Sequence, residues 1–204
     1  MKTLLKVTAG MGGASGDSAQ LAEQYAEKWL AQNPGARVMR RDLFAEPVPH
    51  LTAERFQAFS TPAEGRTPEQ RTIVSYSDTL IAELQAADVV VFAVPMYNFS
   101  VPSTLRAYFD HIARAGVTFR YTADGPEGLI KGKDTYVFIA RGGVYPQAAD
   151  TQTPYLRQFL GFIGLTNIRF VYAEGTALGA ETREQSLANA RGQIASLLAI
   201  PQAA

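Results

Sequence analysis

The sequence contains no cysteine and only two histidines, His50 and His111. Disulfides, thiolate nucleophiles and most structural zinc sites are thereby excluded. One histidine lies in a proline-rich stretch and the other on an otherwise apolar helical pattern, with no ligand spacing between them, so no metal site is expected. An excess of charge of either sign is also missing, because Lys+Arg and Asp+Glu both total 19. Overall charge therefore supplies no attraction to nucleic acid or to an anionic membrane surface. No run approaches the roughly 18 apolar residues of a membrane span. The apolar stretch near Met1 is too short for a signal peptide and lacks a small-residue cleavage site, and residence in the cytoplasm is the expectation. No G-x-S-x-G turn follows a strand, so a hydrolase lacks its nucleophile elbow.

What is present is 204 residues with 47% hydrophobic content, enough to bury one substantial core, and the expectation is one domain over residues 1–204. Thr3 to Thr8 reads as a strand that ends in a loop carrying Gly10, Gly12, Gly13 and Gly16. A helix follows, with Asp17 and Gln20 spaced as a capping-box variant and Leu21, Tyr25 and Trp29 on one face, until Asn33-Pro34-Gly35 stops it. Ala36 to Leu43 reads as a second strand, charged enough to lie near a sheet edge. A proline-bearing excursion with a short helix comes next, and Thr67-Pro68-Glu69-Gln70 opens a further helix. The run from Asp88 to Val94, halted at Pro95, suits a central strand buried on both faces. A helix beyond Pro102, a Gly-rich segment from Gly116 to Gly132, and a strand from Thr135 to Ala140 follow. Thr153-Pro154 reads as the start of another helix, Ile168 to Ala173 as the fifth strand, and Glu181 to Leu198 as the last helix.

Strands alternating with helices predict an α/β, flavodoxin-like doubly wound sheet of five parallel strands in the order 2-1-3-4-5. That order places a binding crevice at the carboxyl ends of the first and third strands, and three loops should meet there. In the first, glycines, Ser15, Gly16, Asp17 and Ser18 stand at a helix start, which outlines a phosphate site. An ordinary strand-to-helix turn needs the same residues, and the two readings stand even. Neither G-x-G-x-x-G nor G-K-[ST] is in place, so a monophosphate suits the loop better than a dinucleotide. The second loop, Pro95-Met96-Tyr97-Asn98-Phe99-Ser100, puts aromatics, a thioether and an amide where turns are usually small, which favours a flat apolar ligand. In the third, Gly142 and Gly143 after Ala140 leave room for close backbone approach, while Arg141 either holds an anionic ring edge or caps the sheet end. A phosphate pocket beside a flat-ring pocket describes FMN.

The segments Pro95 to Phe99, Ala113 to Tyr121, Gly125 to Leu129, Arg141 to Gly143 and Leu160 to Gly164 resemble, in the same order, the FMN-dependent NADH:azoreductase and quinone reductase family. The resemblance implies a homodimer with non-covalent FMN near the subunit interface. It also implies NADH as donor, and small aromatic acceptors, azo compounds and quinones, reduced in a ping-pong cycle. By residue it assigns Met96, Tyr97, Asn98 and Phe99 to the flavin ring, Gly142 and Gly143 to its polar edge, and Ser15 to Ser18 to its phosphate. It makes Phe119, Tyr121 and Phe162, which core or interface packing would equally explain, walls of an acceptor pocket, with Tyr145 where many relatives carry a His. No side chain is expected to act as a nucleophile. Besides Tyr145, the sequence departs from the family pattern where Ala9 and Ala140 replace hydroxyl residues and where Gly16-Asp17-Ser18 replaces Ser-x-Ser. Asp17 opposes a phosphate if it faces one and is harmless if it only caps the helix. A flavodoxin-type electron carrier without turnover is the alternative, and the balanced charge disfavours it because such carriers are strongly acidic.

Overall fold

The computed structural model describes residues 1–199. In chain order the elements are β1 (Thr3–Thr8), α1 (Asp17–Gln32), β2 (Arg37–Asp42), α2 (Ala53–Ser60), α3 (Pro68–Ala86), β3 (Val89–Pro95) and α4 (Ser103–Ile112). They continue with β4 (Phe119–Thr122), β5 (Gly125–Gly128), β6 (Asp134–Ala140), α5 (Gln152–Phe162), β7 (Asn167–Ala173) and α6 (Ala180–Ala199). The main sheet runs β2-β1-β3-β6-β7 with every pair parallel, which is the expected 2-1-3-4-5 order.

The apolar runs explain the layering. Val89 to Val94 is buried throughout, as a central strand with helices on both faces requires. Alternate residues then serve opposite cores: Val90, Phe92 and Val94 pack with α3, α4 and α5, while Val89, Val91 and Ala93 pack with α1 and α6. Trp29 and Tyr25 fill the second core, and the Tyr25 ring lies 4.5 Å from that of Tyr136. Phe109 stacks on Phe159 at 4.1 Å in the first. His111 belongs to this packing: it is fully buried, and its Nδ1 sits 2.9 Å from the Ala107 carbonyl.

Several boundaries differ from expectation. The capping box at Thr67 and Gln70 forms as read. The one at Asp17 does not, because α1 is capped by Gly16 without a side-chain bond and the Gln20 amide donates to the Ser15 carbonyl instead. Helix α5 begins at Gln152, before the Thr153-Pro154 signal, since the Asp150 carboxylate accepts the N–H groups of Gln152 and Thr153 at 3.0 Å each. The Gly-rich segment folds into the antiparallel hairpin β4-β5. Its strands are four residues each, too short to show alternation against the surrounding glycines.

Candidate functional site

Loops from the carboxyl ends of β1, β3, β6 and β7 converge on one cleft of about 240 Å³. Gly10, Gly12, Gly13, Gly16, Asp17 and Ser18 form one side. Pro95, Met96, Tyr97, Ala140, Gly142 and Thr176 form the other. The first side is the amino end of α1. Its first helical bond runs from the Gln20 N–H to the Gly16 carbonyl, so the N–H groups of residues 17–19 precede any intrahelical acceptor and point out of the helix start. No lysine, arginine or histidine lines the cleft among the described residues. An anion here would be held by backbone N–H groups, the helix dipole and the Ser18 hydroxyl, which has no hydrogen-bond partner among the described residues. The turn is built for close approach: a Cβ on Gly12 would stand 3.2 Å from the Gly16 N and Cα atoms.

Two of the expected ligands point elsewhere. The Asp17 carboxylate is paired with the Arg183 guanidinium of α6, bonded both from Nε at 3.2 Å and from Nη2. Its charge is therefore compensated, and hydrogen bonding to Asp17 pushes the Arg183 pKa up. Ser15 turns its hydroxyl back to the Gly12 carbonyl at 2.7 Å and braces the loop.

The loop after β3 supplies a flat, strained shelf. Tyr97 and Ser100 exchange two backbone hydrogen bonds of 3.0 Å around Asn98 and Phe99, whose φ angles are +48° and +64°. This is a type I′ geometry, in which the second central residue is ordinarily glycine. A left-handed non-glycine residue costs roughly 1–2 kcal/mol, and such strain survives only where surrounding contacts enforce it. The Phe99 ring is 63% exposed and meets Tyr145 edge-on at 6.1 Å. Tyr97 reaches the other way, its hydroxyl accepting the Met11 N–H at 3.0 Å and tying the shelf to the first loop.

The third loop corrects one expectation. Arg141 does not offer its guanidinium to the cleft: the side chain is 1% exposed and ion-paired to Asp150 at 2.8 Å and Glu174 at 3.1 Å. It also donates to Gln152 and Thr153 and lies over the rings of Tyr172 and Tyr145. Of the two roles left open for it, fastening the sheet end is the one its geometry serves. Burial alone would raise the Asp150 carboxyl, but the bonds from Thr153 and the neighbouring Arg141 outweigh that and hold it below its ordinary pKa. The Gly142 and Gly143 N–H groups have no partner among the described residues. Gly142 borders the cleft, whereas Gly143 lies under the Tyr145 ring, which a Cβ would meet at 3.4 Å.

Phe119, Tyr121 and Phe162 do not line this cleft. They form their own cluster where the β4-β5 hairpin rides on the end of α5, with Phe119 4.3 Å from Phe162 and 5.6 Å from Tyr121. Next to it lies an apolar hollow of about 300 Å³ walled by Tyr155, Gln158, Phe159 and Phe162. Sequence reading missed Thr176, whose N–H and hydroxyl both donate to the Arg141 carbonyl at 3.1 Å. The rule that sites gather at strand carboxyl ends would have reached it through the loop after β7.

A cleft of this kind, with an uncapped helix start on one side of the β1/β3 switch point and an aromatic loop on the other, is the ligand end of a doubly wound sheet. The flavodoxin-like fold family model matches residues 1–198. The chain belongs to that family. It is 53% identical over 195 residues to an FMN-dependent NADH:quinone oxidoreductase of Cellvibrio japonicus, covering 95% of this chain and 97% of the relative. It is also 53% identical over 197 residues to FMN-dependent NADH:quinone oxidoreductase 6 of Burkholderia lata, covering 96% and 100%. An azoreductase structure from Bacillus anthracis superposes with a TM-score of 0.88 at 30% identity, over 97% of this chain and 99% of that one. Its main-sheet order is the 2-1-3-4-5 order of a flavodoxin-like sheet, and the β4-β5 hairpin lies between β3 and β6 in the chain.

Proposed function

We propose that this flavodoxin-like chain is a cytoplasmic, homodimeric FMN-dependent NADH:quinone oxidoreductase that also reduces azo compounds. The observation that carries the reading is the juxtaposition, at one switch point, of a cation-free N–H cradle and an aromatic shelf flanked by the unpaired Gly142 N–H. These match the two ends of FMN, and the names of the 53%-identical relatives agree. The residues fit the cofactor: Gly10, Gly12, Gly13 and Gly16 line the first side with no side chain, and the Asp17 charge is turned aside to Arg183.

The N–H groups at the start of α1, with the Ser18 hydroxyl, would hold the phosphate. Met96, Tyr97, Asn98 and Phe99 would flank the ring, and the free N–H groups of Gly142 and Gly143 would donate to its polar edge. FMN, when bound, supplies the hydride and electron transfer. The protein's part is to orient, to exclude water from the ring and to present one open face to donor and acceptor in turn.

A single chain encloses only about 240 Å³, below the roughly 300–1,000 Å³ of ligand pockets. The remaining walls would come from a second copy, docked through the apolar hollow at Tyr155, Phe159 and Phe162 and contributing Phe119, Tyr121 and Phe162 as aromatic cover. Occupation of one open face by NADH and then by quinone excludes a ternary complex. Initial rates of the FMN-loaded protein at varied NADH and benzoquinone should therefore give parallel double-reciprocal lines. Intersecting lines, or no turnover above free FMN, would reject the proposal.

A further inference from the structure

Four consecutive residues at the start of α5 hold both ring-side loops. The Thr151 hydroxyl donates to the Phe99 carbonyl. Gln152, fully buried, donates from Nε2 to the Pro95 carbonyl at 3.1 Å while its Oε1 accepts from Arg141 Nε at 3.2 Å. The Asp150 carboxylate and the Thr153 hydroxyl accept from Arg141 Nη2 at 2.8 and 2.9 Å. The shelf after β3 and the loop after β6 are thus bolted to one turn, which belongs to neither.

We infer that residues 150–153 are a positioning clamp, with Thr151 holding the left-handed Asn98–Phe99 turn and Gln152 fixing its base against Arg141. Local helix capping does not account for Thr151: it occupies the N-cap position of α5 but makes no capping bond, and its hydroxyl reaches across to Phe99 instead. Stability of the buried core does not account for it either, because Thr151 is exposed. What its bond does is oppose relaxation of a turn whose φ angles of +48° and +64° disfavour side-chain-bearing residues. None of the four lines the cleft itself, so their effect passes through Pro95, Phe99 and Arg141. The consequence for the ring rests on the FMN reading; the clamp itself does not.

The test is Thr151→Val, with Thr151→Ser as the conservative control, in the full chain before and after loading with FMN. Without FMN, amide hydrogen exchange of residues 98–101 should be faster in Thr151→Val and restored in Thr151→Ser, with exchange in α5 unchanged. With FMN, loss of one bond should weaken binding by about 5–10-fold and alter the visible circular dichroism of the bound flavin, again restored by Ser. Unchanged exchange at 98–101 in Thr151→Val overturns the clamp, and so does faster exchange spread equally through α5. Should the unaltered chain not bind FMN, the proposed function fails, and the exchange result alone still decides for or against the clamp.

Discussion

Arg141→Met is expected to lower the thermal midpoint by about 3–12 °C at pH 7, because removing a fully buried cation from the partly buried carboxylates of Asp150 and Glu174 forfeits charged hydrogen bonds worth roughly 1.5–3 kcal/mol, and each kcal/mol moves a chain of this size by about 2–4 °C. Asp150 loses one of the groups holding its pKa down, and Gln152 and Thr153 lose a donor. The pH dependence has a definite sign. In the unaltered protein the Asp150 pKa is depressed, so its contribution is complete above the unfolded value near 3.9 and fades as pH falls through the folded one. Without Arg141 the folded pKa rises, the carboxyl takes up its proton more readily, and the penalty of the substitution should shrink as the pH is lowered toward about 4. Calorimetric midpoints at pH 7 and pH 4.5 check both parts. A difference under about 2 °C at pH 7, too small for the loss of those charged hydrogen bonds, would show that Arg141 is not the fastener its contacts indicate.

Gly128→Ala should be the more selective lesion. A Cβ there would fall 2.1 Å from the Gly164 nitrogen, 2.4 Å from its Cα and 2.5 Å from the Ile163 carbonyl carbon, all backbone atoms that cannot swing aside. The hairpin must lift from the end of α5. Overpacking of this kind costs about 1–3 kcal/mol or more, and here much of it should appear as local detachment of β4-β5, since the hairpin pairs with no strand of the main sheet. The Phe119–Phe162 contact goes with it. We expect faster proteolysis within residues 119–128 and a fall in quinone kcat/KM of about tenfold or more, equivalent to about 1.4 kcal/mol of transition-state stabilisation. FMN binding through the α1 start should remain. Gly161→Ala, where a Cβ meets nothing, is the control and should be neutral or stabilising by about 0.5 kcal/mol. Unchanged activity and proteolysis in Gly128→Ala would remove the hairpin from the account.

The strands were readable because their burial is written locally: Val89 to Val94 can only be a central strand, and the charged Arg37 to Asp42 only an edge. The three loops were readable for the same reason, as glycines and aromatics out of place at strand ends. Bonds that join distant parts of the chain were not readable. Asp17 looked like a threat to a phosphate because its partner Arg183 lies 166 residues away. The two roles of Arg141 stayed open because Asp150 and Glu174 become its neighbours only when β6, α5 and β7 are assembled. Thr151 and Gln152 carry no motif at all, and their partners lie 52 and 57 residues earlier. The placement of Phe119, Tyr121 and Phe162 away from their own cleft likewise needed the hairpin, whose docking depends on two facing glycines, Gly128 and Gly164.

The most direct measurement is an anaerobic visible spectrum of the FMN-reconstituted, desalted protein, taken before and after NADH and again after a quinone. The account predicts that the flavin band stays with the protein, bleaches with NADH and returns with quinone. A band that is retained but does not bleach would make the chain a carrier and not a reductase, and loss of the flavin on desalting would contradict the cation-free cradle at the start of α1.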